Sequence, residues 1–218
     1  GKEVYIYTDK ILNEDELKRL NKKLVQVYKE IDGVSVSNLG TLNLVKDNFQ
    51  FNIHGDIGLN VYNSIAARAL KENGVNSITL SPELTLQQIK EICQKGENIY
   101  ETIGYGYLPL MVMKHCPIAL GKGCGNNKNC KYCKFRSGYG IKDRLGKIFP
   151  IVRNESITTI YNSVPLMVIE ELNSIYDSGV NMIRIDYTFE EDNIYSVQEV
   201  FYEYINGNLS ERDLEIFL

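Results

Sequence analysis

Histidine is scarce in this chain: only His54 and His115 occur in 218 residues. Neither H-E-x-x-H nor G-x-S-x-G occurs anywhere, and no cysteine has an obvious catalytic partner. The sequence therefore offers no direct support for a known protease mechanism. Long apolar runs are missing as well, and the longest fall well short of a membrane span. No secretory leader is visible, because residues 2–9, KEVYIYTD, read as a strand that reaches a charge before an apolar region forms. The expectation is a cytoplasmic protein with no membrane association. A chain of this length is one large domain or two small ones and buries a core without disulfide staples. In a reducing compartment, clustered cysteines bind metal more readily than they form disulfides.

Four of the five cysteines lie within 18 residues, as Cys116, Cys124, Cys130 and Cys133, spaced C-x7-C-x5-C-x2-C. The terminal C-x2-C is the most informative piece, since two thiolates at that spacing share one metal centre without distorting the backbone. Four thiolates suit structural zinc or an iron–sulfur cluster, and spacing alone does not separate them. The wide first interval is unlike a zinc knuckle and favours a [4Fe–4S] cluster. Zinc remains open, including as a replacement after aerobic purification. Cys93 falls on an amphipathic segment and reads as a small buried hydrophobe.

The same stretch carries the positive charge. Residues 122–147 hold eight Lys or Arg and one acid, Asp143, a balance of +7 within a chain of net −4. The rest therefore carries −11. Such a patch either offsets thiolate charge or contacts phosphate, with Tyr132, Phe135 and Tyr139 able to stack on bases. RNA is the partner expected for this patch.

Short β-branched or aromatic runs alternate with segments of helical period, which signals βα units around a parallel sheet. Strands are expected at 3–8, 33–38, 49–55, 76–84 and 181–189. A strand-turn-strand is expected over 98–114 and a hairpin over 139–154. Helices are expected at 13–31, capped by Asn13, and at 60–74, 85–96, 163–179 and 194–207. An internal echo, Tyr-Asn-Ser then Gly-Val-Asn then a strand, spans 61–83 and recurs at 160–190. The fold class is thus α/β, a partial or complete TIM-barrel-like βα repeat, read as a single domain over 1–218. The Cys-rich loop, 115–147, is inserted in it together with the hairpin.

In such folds chemistry gathers at the C-terminal ends of strands, here Asn60, Ser81, Glu83, Tyr105, Asp186 and Thr188. Catalytic candidates are Glu83, Glu101, His115 and Asp143, with Glu83, Glu101 or Asp143 handling protons. Candidates for binding substrate are Asn60, Asn63, Arg136, Lys142, Arg144 and Arg184, of which Arg136, Lys142 and Arg144 would hold a phosphate or dicarboxylate. His115 adjoins the first cysteine of the cluster and is placed to tune that centre, whereas His54 reads as a packed structural residue.

The blocks GDIGLNVYNSIAARALKENGVNSITLSPEL (55–84), ETIGYGYLPLMVMKHCPI (101–118), YGIKDRLGKIFPIV (139–152) and GVNMIRIDYTFE (179–190) together resemble peptidase family U32, the collagenase-like peptidases. Their order is most similar to the C-terminal part of the family's long members. The resemblance implies a TIM-barrel-like core and a [4Fe–4S] cluster on Cys116, Cys124, Cys130 and Cys133. It implies one of two activities. Some members are described as proteases. Others hydroxylate RNA bases or a ubiquinone precursor without oxygen, using the cluster and, for RNA, prephenate. RNA-base hydroxylation is the leading expectation. The alternatives are a U32 peptidase or an accessory domain with structural zinc. An N-terminal part of a longer protein and a second copy of the chain are the other expected partners.

Overall fold

The computed structural model describes residues 1–122, 138–154, 157–188, 190 and 194–209. The chain divides into two units, Gly1–Ile103 with Glu171–Arg184, and Gly104–Glu170 with Ile185–Leu218.

The first unit opens with strand β1 (Tyr5–Tyr7) and helix α1 (Glu14–Val27), then β2 (Gly33–Val36), α2 (Leu39–Asn48), β3 (Asn52–Gly55), α3 (Ser64–Glu72), β4 (Ser77–Thr79), α4 (Leu86–Lys95) and the start of β5 (Ile99–Gly106). Local chemistry fixes the helix starts. The Asn13 side chain accepts the Glu16 N–H, while the Glu16 carboxylate accepts the Asn13 N–H, a reciprocal capping box. Thr85 and Gln88 repeat it at α4, and single Asn caps begin α2 and α3. Strands β1 to β5 pair in chain order and all in parallel, as in the wall of a βα barrel. Among the described residues the path of hydrogen bonds runs open from β1, in keeping with the α/β expectation in its partial-barrel form.

In the second unit β6 (Pro109–Met113) leads into the short helix α5 (Pro117–Lys122). Strands β7 (Tyr139–Lys142), β8 (Ile148–Asn154) and β9 (Ile157–Tyr161) follow, with β10 (Leu166–Met167) after them. In an antiparallel sheet of order β6-β9-β8-β7, Ile151 and Ile160 form a buried cluster with Ile118 of α5, and Met113, Cys116, Tyr139 and Phe149 pack against it. Helix α6 (Leu172–Asp177) and β11 (Met182–Asp186 up to Arg184) return to the first unit, and β11 pairs with β5. Helix α7 (Ile194–Ile205) belongs to the second unit.

The expected helix over 163–179 is shorter than its pattern suggests. Leu166 and Met167 pair antiparallel with Gly106 and Tyr105, so Pro165 precedes a strand and the α-helix begins only at Leu172. The helix α2 has no counterpart in the expected elements, because Gly40 and Asn43 interrupt its apolar period.

The internal echo has a structural meaning. After α3 and α6, Gly74 and Gly179 adopt φ of +88° and +96°, the left-handed turn that ends a helix at low cost for glycine. Val75 and Val180 are then buried. Asn76 donates its N–H to the Ile53 carbonyl and accepts the Ile53 N–H on its side chain, each at 2.8 Å. Asn181 does the same to Tyr100, at 2.9 Å for each bond. Asp32 latches onto Val4 in the same way, at 2.9 and 2.7 Å. A single polar side chain thus pins the returning chain at three pairings of the sheet, β2 on β1, β4 on β3 and β11 on β5.

Candidate functional site

Strands of a parallel sheet covered on both faces normally read as continuous apolar runs. Here they alternate. Val34, Val36, Ile53, Ile78, Leu80 and Tyr100 are buried and point to one face, and by the two-residue period of a strand Ser35, Ser37, His54, Asp56, Ser77, Thr79 and Glu101 point to the other. The registers Ser35↔His54↔Ser77 and Thr79↔Glu101 place these polar groups side by side. Arg184, on β11, completes the layer.

Its guanidinium joins two carboxylates. Nη1 lies 2.6 Å from Asp56 Oδ1 and Nη2 lies 2.7 Å from Glu101 Oε1. Nη2 also donates to Thr79 Oγ1 and lies 3.0 Å from His54 Nε2. Asp56 is 1% exposed, and its second oxygen accepts the Ser37 hydroxyl at 2.8 Å. The Thr79 hydroxyl donates to Glu101 Oε1 at 2.7 Å. Burial alone pushes the Glu101 carboxyl up, but the His54 hydrogen bond and the Arg184 charge outweigh it and hold it below the usual glutamate range. Glu101 is therefore ionised at neutral pH and acts as an acceptor rather than as a stored acid.

His54 is 6% exposed, with Nδ1 2.7 Å from Ser77 Oγ and Nε2 3.3 Å from Glu101. Ser, His and Glu in a chain is the connectivity of a serine hydrolase. A nucleophile must meet its substrate, however, and Ser77 is only 9% exposed, while the Glu101 carboxylate is already claimed by Arg184 and Thr79. The arrangement is that of a buried hydrogen-bonded network linking β2, β3, β4, β5 and β11, with the Ser35 hydroxyl of the same layer left without a partner among the described residues.

The structure thus brings together Glu101 and Arg184 from the expected residues. Asp56, Thr79, Ser77 and Ser37 join them from outside the expected residues, and His54, expected as a packed structural residue, is buried among them. Glu83 is exposed in the turn after β4. Asn60 is exposed, at φ 52°. The Asn63 side chain caps α3 by accepting the Ala66 N–H.

In the second unit, Cys116 is half-buried at the start of α5, free of any disulfide and packed against the Ile118 cluster, while His115 before it is exposed. Lys142 and Arg144 stand exposed on the β7–β8 hairpin, and the Asp143 carboxylate accepts the N–H groups of Leu145 and Lys147. Cys124, Cys130, Cys133 and Arg136 lie outside the described residues, as do Tyr132 and Phe135. Among the described residues no three His, Cys, Asp or Glu side chains group as a metal site, and no helix is long and apolar enough to cross a membrane.

The sequence model of peptidase family U32 matches residues 1–216. The chain belongs to that family. Within U32 it is similar to the 23S rRNA 5-hydroxycytidine C2501 synthase of Escherichia coli (strain K12), at 22% identity over 88% of this chain and 28% of that protein. It is also similar to tRNA hydroxylation protein P of Haemophilus influenzae (strain ATCC 51907 / DSM 11121 / KW20 / Rd), at 26% identity over 77% of this chain and 38% of that protein. This U32 chain therefore spans well under half the length of the curated relatives it matches. The U32 peptidase Mk0906, a solved structure, is 16% identical with a TM-score of 0.42, over 48% of this chain and 47% of that one.

Proposed function

We propose that this chain is the cysteine-bearing module of an iron–sulfur enzyme that hydroxylates a base in ribosomal or transfer RNA in the cytoplasm. The observation that carries the reading is that two separate relatives, matched over 88% and 77% of the chain, are both named for RNA hydroxylation. The donor set agrees with it. Cys116 is a free, half-buried thiol beside an apolar cluster, a setting that shields a metal centre from water. Together with Cys124, Cys130 and Cys133 it would supply the four thiolates of a [4Fe–4S] cluster. When bound, such a cluster supplies one-electron redox chemistry. The chain's own residues keep the scaffold rigid through the Arg184 network and present basic side chains to RNA. The rest of a longer protein supplies what this portion lacks.

Metal and sulfide analysis of protein made without oxygen tests this. The expected result is a brown protein with about four irons and about four sulfides per chain, both lost in a Cys130→Ser/Cys133→Ser variant. Stoichiometric zinc without iron in that preparation would contradict a redox role.

A further inference from the structure

We infer that the tip of the β7–β8 hairpin is the element that grips the RNA backbone, through Lys142, Arg144 and Lys147. The inference rests on the reading of the chain as an RNA-modifying module and adds to it a specific, preorganised contact.

The tip is built rather than merely charged. Asp143 donates its N–H to the Lys147 carbonyl at 3.0 Å, and Gly146 donates to the Asp143 carbonyl at 3.1 Å. Gly146 has φ of +83°, so the loop is a three-residue hairpin connection that ends on a left-handed glycine, a common way to join two antiparallel strands. Asp143 Oδ1 then accepts the N–H groups of Leu145 and Lys147 at 2.8 and 2.9 Å. One oxygen of the single acid between residues 122 and 147 is thereby committed to the backbone of the tip. Lys142, Arg144 and Lys147 are all exposed, and no described acid forms a salt bridge with them.

Charge complementarity selects the partner. Outside residues 122–147 the chain carries a net −11, so a polyanion finds its largest local excess of positive charge in the sequence segment to which the hairpin belongs. Leu145, 79% exposed between the cations, offers an apolar face to a ribose or base once phosphates are held. Arginine and lysine on a rigid turn suit phosphate oxygens, whose contacts position the nucleic acid without reading its sequence.

The test uses the whole chain and a short unstructured single-stranded RNA, with affinity measured against salt concentration. Lys142→Gln/Arg144→Gln/Lys147→Gln should flatten the salt slope by about 2, at ~0.7 for each phosphate no longer neutralised, and weaken binding at least ~10-fold at low salt. The matched control Arg19→Gln/Lys22→Gln/Lys23→Gln, on exposed positions of α1, should change neither. Equal effects from both triples would overturn the assignment. So would an unchanged slope in the hairpin triple. Should the triple lose its fold by circular dichroism, Arg144→Gln alone should still flatten the slope by ~0.7, and no flattening there would overturn the inference. Asp143→Ala removes a negative charge yet releases the tip. A preorganised grip predicts weaker binding, and tighter binding would reduce the effect to net charge and overturn the built surface. RNA nucleoside composition is read separately. Loss of binding in the hairpin triple with no hydroxylated base in wild-type cells would leave this contact standing while removing the hydroxylase reading.

Discussion

Arg184 Nη1 lies 2.6 Å from Asp56 Oδ1, a bond between residues 128 positions apart in the chain. Asp56 is almost wholly enclosed, so the guanidinium is what makes its charge tolerable there. Removing one partner of a buried pair leaves the other charge uncompensated. Arg184→Ala should therefore lower unfolding stability by about 3–5 kcal/mol, measured by urea denaturation. Arg184→Lys, which keeps the charge but cannot fork between Asp56 and Glu101, should fall between the two. An alanine variant as stable as wild type would show that the network holds nothing together.

Acid should act through Glu101. Its carboxyl is held below the ordinary glutamate value in the folded chain, so the native state releases that proton at lower pH than the unfolded state does. The stabilisation is complete above about pH 4.3 and drains away as pH falls through the depressed native value. The stability difference between wild type and Glu101→Gln should shrink as urea titrations move from neutral pH to below ~4. A difference that stays constant across that range would contradict the ion pairing.

The Asn latches should be energetically alike. Asn76→Ala and Asn181→Ala each leave a strand N–H without its partner and should cost about 1–3 kcal/mol. Asn→Asp at either site should cost less, since Asp32 performs the same task at the first strand pair. Loss of stability at only one of the two would break the equivalence of the repeats.

Cys93 should be chemically quiet. Burial pushes its thiol up to about 11, so little thiolate is present at neutral pH. Native protein treated with iodoacetamide at neutral pH should leave Cys93 unmodified by peptide mass mapping, with full alkylation only after unfolding. Rapid native labelling would mean that this region opens far more often than its packing suggests.

Much of the first unit was legible because local chemistry and tertiary structure agree. The Asn13 and Thr85 caps, the α1, α3 and α4 periods, and Gly74 as a helix stop all follow from short-range rules. Helix α2 was not legible, since Gly40 and Asn43 dilute its apolar face and only the buried Thr41, Leu42 and Val45 anchor it. The segment before α6 misled because pairing of Leu166 and Met167 with β5 overrides a good helical pattern. The polar layer had a signal that went unused. His54-x-Asp56 and Ser77-x-Thr79 place a polar residue at every second position of strands that a parallel sheet buries on both faces. A network was the physical way to satisfy them. Glu101 and Arg184 could be singled out one at a time, but only the strand registers show that they meet.

The proposed hydroxylation of RNA through the four-cysteine centre is read out on RNA itself. Ribosomal and transfer RNA would be digested to nucleosides and compared by mass spectrometry in three cell lines. One carries the intact gene, one lacks it, and one carries the full-length protein with Cys130→Ser and Cys133→Ser. The expected result is a nucleoside one oxygen heavier than its parent, present with the intact gene and absent from both others. Identical nucleoside profiles in all three would rule out RNA hydroxylation by this protein.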